Sequence, residues 1–163
     1  IVQSVVAMIN GKMKINPKDK RLARIIAVQA IYAYEIYPEN SDNVMSVILD
    51  NDDEDWSPLE SIPSDNAIAY GKKLYKMVIK IKDELDDLIK ARSKNWSINR
   101  ITLLDRLILR MSLAEMIYED DVPPKVSIAE GVEIAKYFST DESGSFVNGI
   151  LDSVYNDIIK DRV

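Results

Sequence analysis

Histidine and cysteine are both absent from the 163 residues, so any chemistry must come from carboxylates, lysines, arginines, hydroxyls or phenols. That excludes thiol nucleophiles, disulfides, Cys/His zinc sites and imidazole general bases. Two carboxylate pairs, Asp86-Asp87 and Asp120-Asp121, come nearest to a general acid–base dyad. Neighbouring residues on a helix point about 100° apart, so neither pair converges on one substrate atom. The phosphate-cradling GxxxxGK[ST] and GxGxxG loops and the GxSxG nucleophile elbow are missing as well. The acidic run from Asp50 to Asp55 lacks the central glycine and distal glutamate of an EF-hand, and reads as a surface loop. The residues support no catalytic site, no metal site and no cofactor.

Two other segments carry residue types suited to nucleic acid. Between Lys12 and Arg24 lie six basic residues (Lys12, Lys14, Lys18, Lys20, Arg21 and Arg24) and one acid, Asp19, in a chain of net charge −6. Arg21 and Arg24 are three apart and share a helix face, and Lys20 lies alongside Arg24 at a spacing of four. Such a face can follow the phosphates of a single strand, helped by the partial positive charge of a helix start. It also fits an ordinary solvated helix end. The second segment, Ser143 to Gly149, places Phe146 and Asn148 just after an expected flexible turn. There an aromatic face can stack on a base and an amide can bond to its edge. Equally, Phe146 can belong to the core, with Asn148 bonded to nearby backbone. Tyr32 and Trp96 lie where apolar stripes meet helix ends and read as core. Arg110 and Glu115 fall in a mostly inward helix and read as members of internal ion pairs.

The elements that must position these residues are helices. Leu22, Ile25, Ile26, Gln29, Ala33 and Ile36 recur at steps of three and four over residues 20–36, with Asp19 as cap and Pro38 as stop. Val44, Val47 and Ile48 suggest a brief second helix. Pro63-Ser64 opens the longest one, whose stripe runs through Ile68, Gly71, Leu74, Tyr75, Val78, Ile81, Leu85, Leu88 and Ile89. Thr102 and Asp105 have capping-box spacing and start a helix to about Tyr118, ended by Pro123-Pro124. Ser127 and Glu130 form a second capping box for a helix to about Phe138. Residues 139–144 read as a turn cluster and Phe146 to Ile159 as the last helix. About seven helices and no strand make the fold class all-α. The longest apolar run, Val5 to Ile9, is five residues, far below the roughly 20 of a membrane span. With no basic leader in residues 1–9, the expected location is cytoplasmic, with no membrane contact.

Five stretches taken in order resemble the NusB family of bacterial transcription antitermination factors. They are Arg21 to Tyr32 (RLARIIAVQAIY), Trp96 to Arg100 (WSINR) with Asp105 to Arg110 (DRLILR), Glu115 to Val126 (EMIYEDDVPPKV), Ile128 to Lys136 (IAEGVEIAK) and Ser143 to Asp152 (SGSFVNGILD). The likeness covers roughly residues 16–160. It implies one domain over 16–163, built from two small helical bundles (about 16–95 and 96–163) behind an N-terminal extension at 1–15. It also implies binding of boxA-type single-stranded RNA of nascent ribosomal RNA transcripts, together with ribosomal protein S10, with RNA polymerase and other Nus factors engaged indirectly. The RNA-binding residues implied are Lys18, Lys20, Arg21, Arg24, Gln29, Glu142, Ser145, Phe146 and Asn148, and those facing S10 are Asp105 and Arg106.

The chain departs from the family pattern in places. Leu22 stands where some members carry a third arginine, and Ser145 where a basic residue is frequent. The acidic run at 50–55 has no counterpart. Met13-Lys14 resembles the start of shorter members, so residues 1–12 are either an upstream addition or an extra helix. Members differ in whether they pair with a second copy, which leaves a homodimer open. Two alternatives accompany this reading. One is the RNA-binding front of an rRNA cytosine methyltransferase, which needs a long Rossmann-like domain beyond Val163. The other is a helical adaptor that binds only protein.

Overall fold

Asn16, not Asp19, opens the first helix. Its side-chain oxygen accepts the Asp19 amide at 2.8 Å, and Pro17 takes the first helical position, where a missing N–H costs nothing. The Asp19 carboxylate instead accepts from Asn16 Nδ2 at 3.1 Å and from Ser64 Oγ at 2.9 Å. Ser64 caps the third helix, so this contact ties two helix starts together.

The computed structural model describes residues 15–40, 43–49, 62–94, 96 and 101–162. Seven α-helices follow one another among these residues: α1 Pro17–Ile36, α2 Val44–Leu49, α3 Asp65–Lys80, α4 Lys82–Arg92, α5 Leu103–Tyr118, α6 Pro124–Phe138 and α7 Asp141–Val154. No strand occurs among them, so the all-α expectation holds. None of these helices is long and apolar enough to cross a membrane. Residues 1–14 of the expected extension at 1–15, and the acidic run at 50–55, lie outside the described residues.

The expected long helix from Ser64 is two helices. Ile81, at φ −114° and ψ 22°, ends α3, and its carbonyl accepts the Leu85 amide at 3.1 Å as α4 begins. Three β-branched residues in four, Val78, Ile79 and Ile81, weaken helical continuity there. The apolar stripe survives the break, with Leu74, Tyr75 and Val78 buried before it and Leu85 and Ile89 after it.

Helix α5 begins as expected, with Thr102 Oγ1 accepting the Asp105 amide at 3.1 Å. Every residue from Leu107 to Met116 is buried, and α5 packs against α1, α3, α4, α6 and α7. A helix apolar on all sides belongs at the centre. Helix α6 starts at Pro124 and not at the expected Ser127–Glu130 capping box, and those two side chains bond to Glu115 and Arg21 instead. Helix α7 starts at Asp141, so most of the expected turn cluster is helical. Thr140 Oγ1 accepts the Ser143 amide at 3.1 Å, and Asp141 and Glu142 suit the positive end of the helix dipole. Past Val154 the chain widens into one π-type turn over Tyr155–Ile159.

The face of α1 that is fully enclosed is made of Ala23, Ile26, Ala27, Ala30 and Ile31. Tyr32, expected in the core, is exposed on the outer side with Ile36. Alanines let α3 approach closely. A Cβ added to Gly71 would lie 3.0 Å from the Ala23 carbonyl oxygen and 3.1 Å from Ile26 Cγ2. Overpacking against backbone costs about 1–3 kcal/mol, more than the roughly 1 kcal/mol that alanine gains over glycine in a helix. Gly71→Ala should therefore lower the thermal midpoint by about 3 °C, read by circular dichroism.

Candidate nucleic-acid interface

The start of α1 presents Lys18 and Arg21 to solvent, with Lys20 half-buried beside them. The Lys20 ammonium lies 6.0 Å from the Tyr70 ring centre. Arg21 is held by a two-point contact from α6, Nε to Glu130 Oε2 at 2.8 Å and Nη2 to Oε1 at 2.7 Å. Those hydrogen bonds, with the charges of Arg21 and Arg24 and against partial burial, hold the Glu130 carboxyl below its ordinary range. The same hydrogen bond raises Arg21 above its own ordinary value.

Arg24 does not reach solvent. It is 2% exposed, and its Nε donates to both oxygens of Glu115, each at 2.9 Å. Ser127 Oγ donates to the same carboxylate at 2.8 Å and Tyr70 Oη at 2.7 Å. Burial, reinforced by the Glu115 charge, pushes the Tyr70 phenol well above its usual range. The expected phosphate contact from Arg24 is thus corrected. A carboxylate on the enclosed helix α5 needs a cation, and Arg24 supplies it. The expected internal pairing of Glu115 is met, as is that of Arg110. Arg110 bonds Asp86 at 2.7 and 2.9 Å and Glu35 at 3.3 Å, which also accounts for one carboxylate of the Asp86-Asp87 pair. Gln29 is half-buried, with its Oε1 enclosed and without a hydrogen-bond partner.

On α7, Glu142, Ser145 and Asn148 are exposed. Phe146 is not: it is 5% exposed, with its ring 5.0 Å from that of half-buried Trp96 at an interplanar angle of 74°. The expected open face for a base is therefore covered, because α7 begins five residues before Phe146 and turns the ring inward. Asp105 is buried too. It accepts Ser143 Oγ at 3.2 Å, which removes its expected place on a partner surface, whereas Arg106 next to it is exposed.

Helix α6 lies between the two segments. Glu130 faces α1, and Lys136 lies across Gly144 of α7, where an added Cβ would sit 2.7 Å from Lys136 Cγ. Lys136 Nζ is 3.9 Å from Glu133, and Tyr137 stands exposed next to it. Sequence reasoning missed this connecting face because the spacing of Glu130 from Ser127 matched a local cap. On α1, Lys18 and Arg21 are exposed and Lys20 is half-buried, and on α7 the exposed polar side chains are those of Glu142, Ser145 and Asn148. No group of carboxylates that could hold a metal ion occurs among the described residues.

A family model described as the NusB family matches residues 21–156. The transcription antitermination protein NusB of Chloroherpeton thalassium is 40% identical over 139 residues, 85% of this chain and 62% of that protein. This chain thus spans about three fifths of that relative. The NusB of Desulforapulum autotrophicum is 36% identical over 136 residues, 83% of this chain and 90% of that protein. Among solved structures, T. maritima NusB matches with a TM-score of 0.70 and 29% identity, covering 89% of this chain and 94% of that one. A chain from the crystal structure of antitermination factors NusB and NusE in complex with dsRNA has a TM-score of 0.71 at 24% identity, over 86% of this chain and 98% of that one, a likeness of fold. With a family model spanning residues 21–156 and a 36% identical relative matched over 90% of its length, this chain belongs to the NusB family.

Proposed function

We propose that this chain is an RNA-binding transcription antitermination factor without enzymatic activity. It binds boxA-type single-stranded RNA of nascent ribosomal RNA transcripts in the cytoplasm. Lys18, Lys20 and Arg21 neutralise phosphates, and Glu142, Ser145 and Asn148 bond to base edges across the first turns of α7. Ribosomal protein S10 is its partner, docked near Arg106, and the pair acts on RNA polymerase with other Nus factors. The observation that carries this reading is an exposed cationic helix start, in a NusB-family chain whose net charge is −6. Affinity is modest alone and higher with S10, because two surfaces on one RNA raise the effective concentration.

Fluorescence anisotropy with labelled boxA-type RNA and a scrambled control, with and without S10, tests it. Three phosphate contacts give a slope of log K against log salt near −2 for a single strand. Lys20→Ala combined with Arg21→Ala should bring that slope to about −0.7 and weaken binding. Binding that is absent, or indifferent to salt, under all these conditions would favour an adaptor of proteins alone.

A further inference from the structure

We propose that Glu130 occupies the seat of an RNA phosphate on Arg21, and that RNA binds there by displacing it. The inference rests on the RNA-binding reading of the α1 start. Arg21 is the exposed arginine of that start, yet both donors on one side of its fork are filled by Glu130, at 2.8 and 2.7 Å. Carboxylate and phosphate each offer two oxygens that match the guanidinium fork, so one group can replace the other. Exposure sets the direction of exchange. The Arg21 side chain is 52% exposed and that of Glu130 19%, so a phosphate reaches the guanidinium from solvent while the carboxylate sits against the protein.

The displaced carboxylate has somewhere to go. Arg24 Nη1 is 3.5 Å from Glu130 Oε2, and buried Arg24 Nη2 has no hydrogen-bond partner. A small swing of Glu130 toward Arg24 shortens the 3.5 Å contact with Nη1 as Arg21 is released. Glu130 is then an affinity-setting and selectivity-setting residue. It keeps the fork closed to weak or single-atom anions, and yields to a group that fills both positions.

The test is Glu130→Gln, which keeps the volume and removes the charge. Anisotropy titration with the labelled boxA-type RNA should show about a three- to fivefold gain in affinity, the size of one exposed ion pair no longer broken on binding. The salt slope should stay at about −2, because Arg21 meets its phosphate in both proteins and only the cost of displacing Glu130 is removed. In an Arg21→Ala background the same change should give no gain. Unchanged or lower affinity in folded Glu130→Gln overturns the exchange, as does an equal gain with and without the Arg21 side chain. Failure of the native protein to bind RNA at any salt overturns this inference and the RNA reading together, whereas native binding with a neutral Glu130→Gln overturns the exchange alone. Circular dichroism melting establishes that each variant is folded. NMR on the unaltered protein is a second measurement: saturating RNA should shift the Arg21 Nε–H and the Glu130 carboxyl carbon, and signals that stay in place overturn the exchange.

Discussion

Glu115→Ala should lower the stability of the protein by about 3–5 kcal/mol, the cost of leaving a buried charge without its partner. Arg24 is 2% exposed and Glu115 fully enclosed, so water does not replace the lost contact. The carboxylate also receives Ser127 from α6 and Tyr70 from α3, at 2.8 and 2.7 Å. One side chain on α5 therefore anchors three surrounding helices. Truncation strands two hydroxyl donors as well as the guanidinium, each a further desolvation penalty. For a chain of this length the thermal midpoint should fall by about 10 °C or more. Urea melts of the paired replacement, Arg24→Met with Glu115→Leu, provide the control. Without either charge, the double variant should be far more stable than the sum of the two single losses suggests. A native-like melt for Glu115→Ala would show that the network contributes nothing to stability.

The same network shows what could be read in advance. The caps at Ser64 and Thr102 were legible because each is completed by an amide three residues away. Arg110 and Glu115 were legible as internal, since a charge in a helix apolar on all sides must find a partner there. Asp19, Ser127 and Glu130 carry equally good local signals, yet their side chains bond to Ser64, Glu115 and Arg21, at separations of 45, 12 and 109 positions. Contacts at that range leave no periodic trace. Arg21 and Arg24 look alike in sequence, yet Arg24 is buried against Glu115 while Arg21 stays exposed. Tyr32 was misread because the buried face of α1 is built partly from alanines, which weigh little as hydrophobic residues but allow α3 to close in. The division between RNA-facing and partner-facing residues came from family resemblance alone. Burial now separates the exposed candidates from Arg24, Asp105 and Phe146.

Phe146→Ala should likewise cost about 3–5 kcal/mol, and leave the RNA affinity of the folded fraction close to native. The ring is 5% exposed and meets Trp96 edge-on at 5.0 Å. Its neighbours Val147 and Ile150 are core residues of α7. Ser145 and Asn148 are exposed to solvent, and in the function proposed above they, and not the ring, meet the base. Stability and recognition should therefore separate. Phe146→Leu keeps most of the volume, so it should lose no more than about 1.5 kcal/mol and retain the preference for boxA-type over scrambled RNA. Asn148→Ala should melt like the native protein and lose that preference. Thermal melts, followed by anisotropy titrations well below each midpoint, give both quantities for every variant. A folded Phe146→Leu that no longer distinguishes the two RNAs, beside an Asn148→Ala that still does, would mean that the ring leaves the core to read a base.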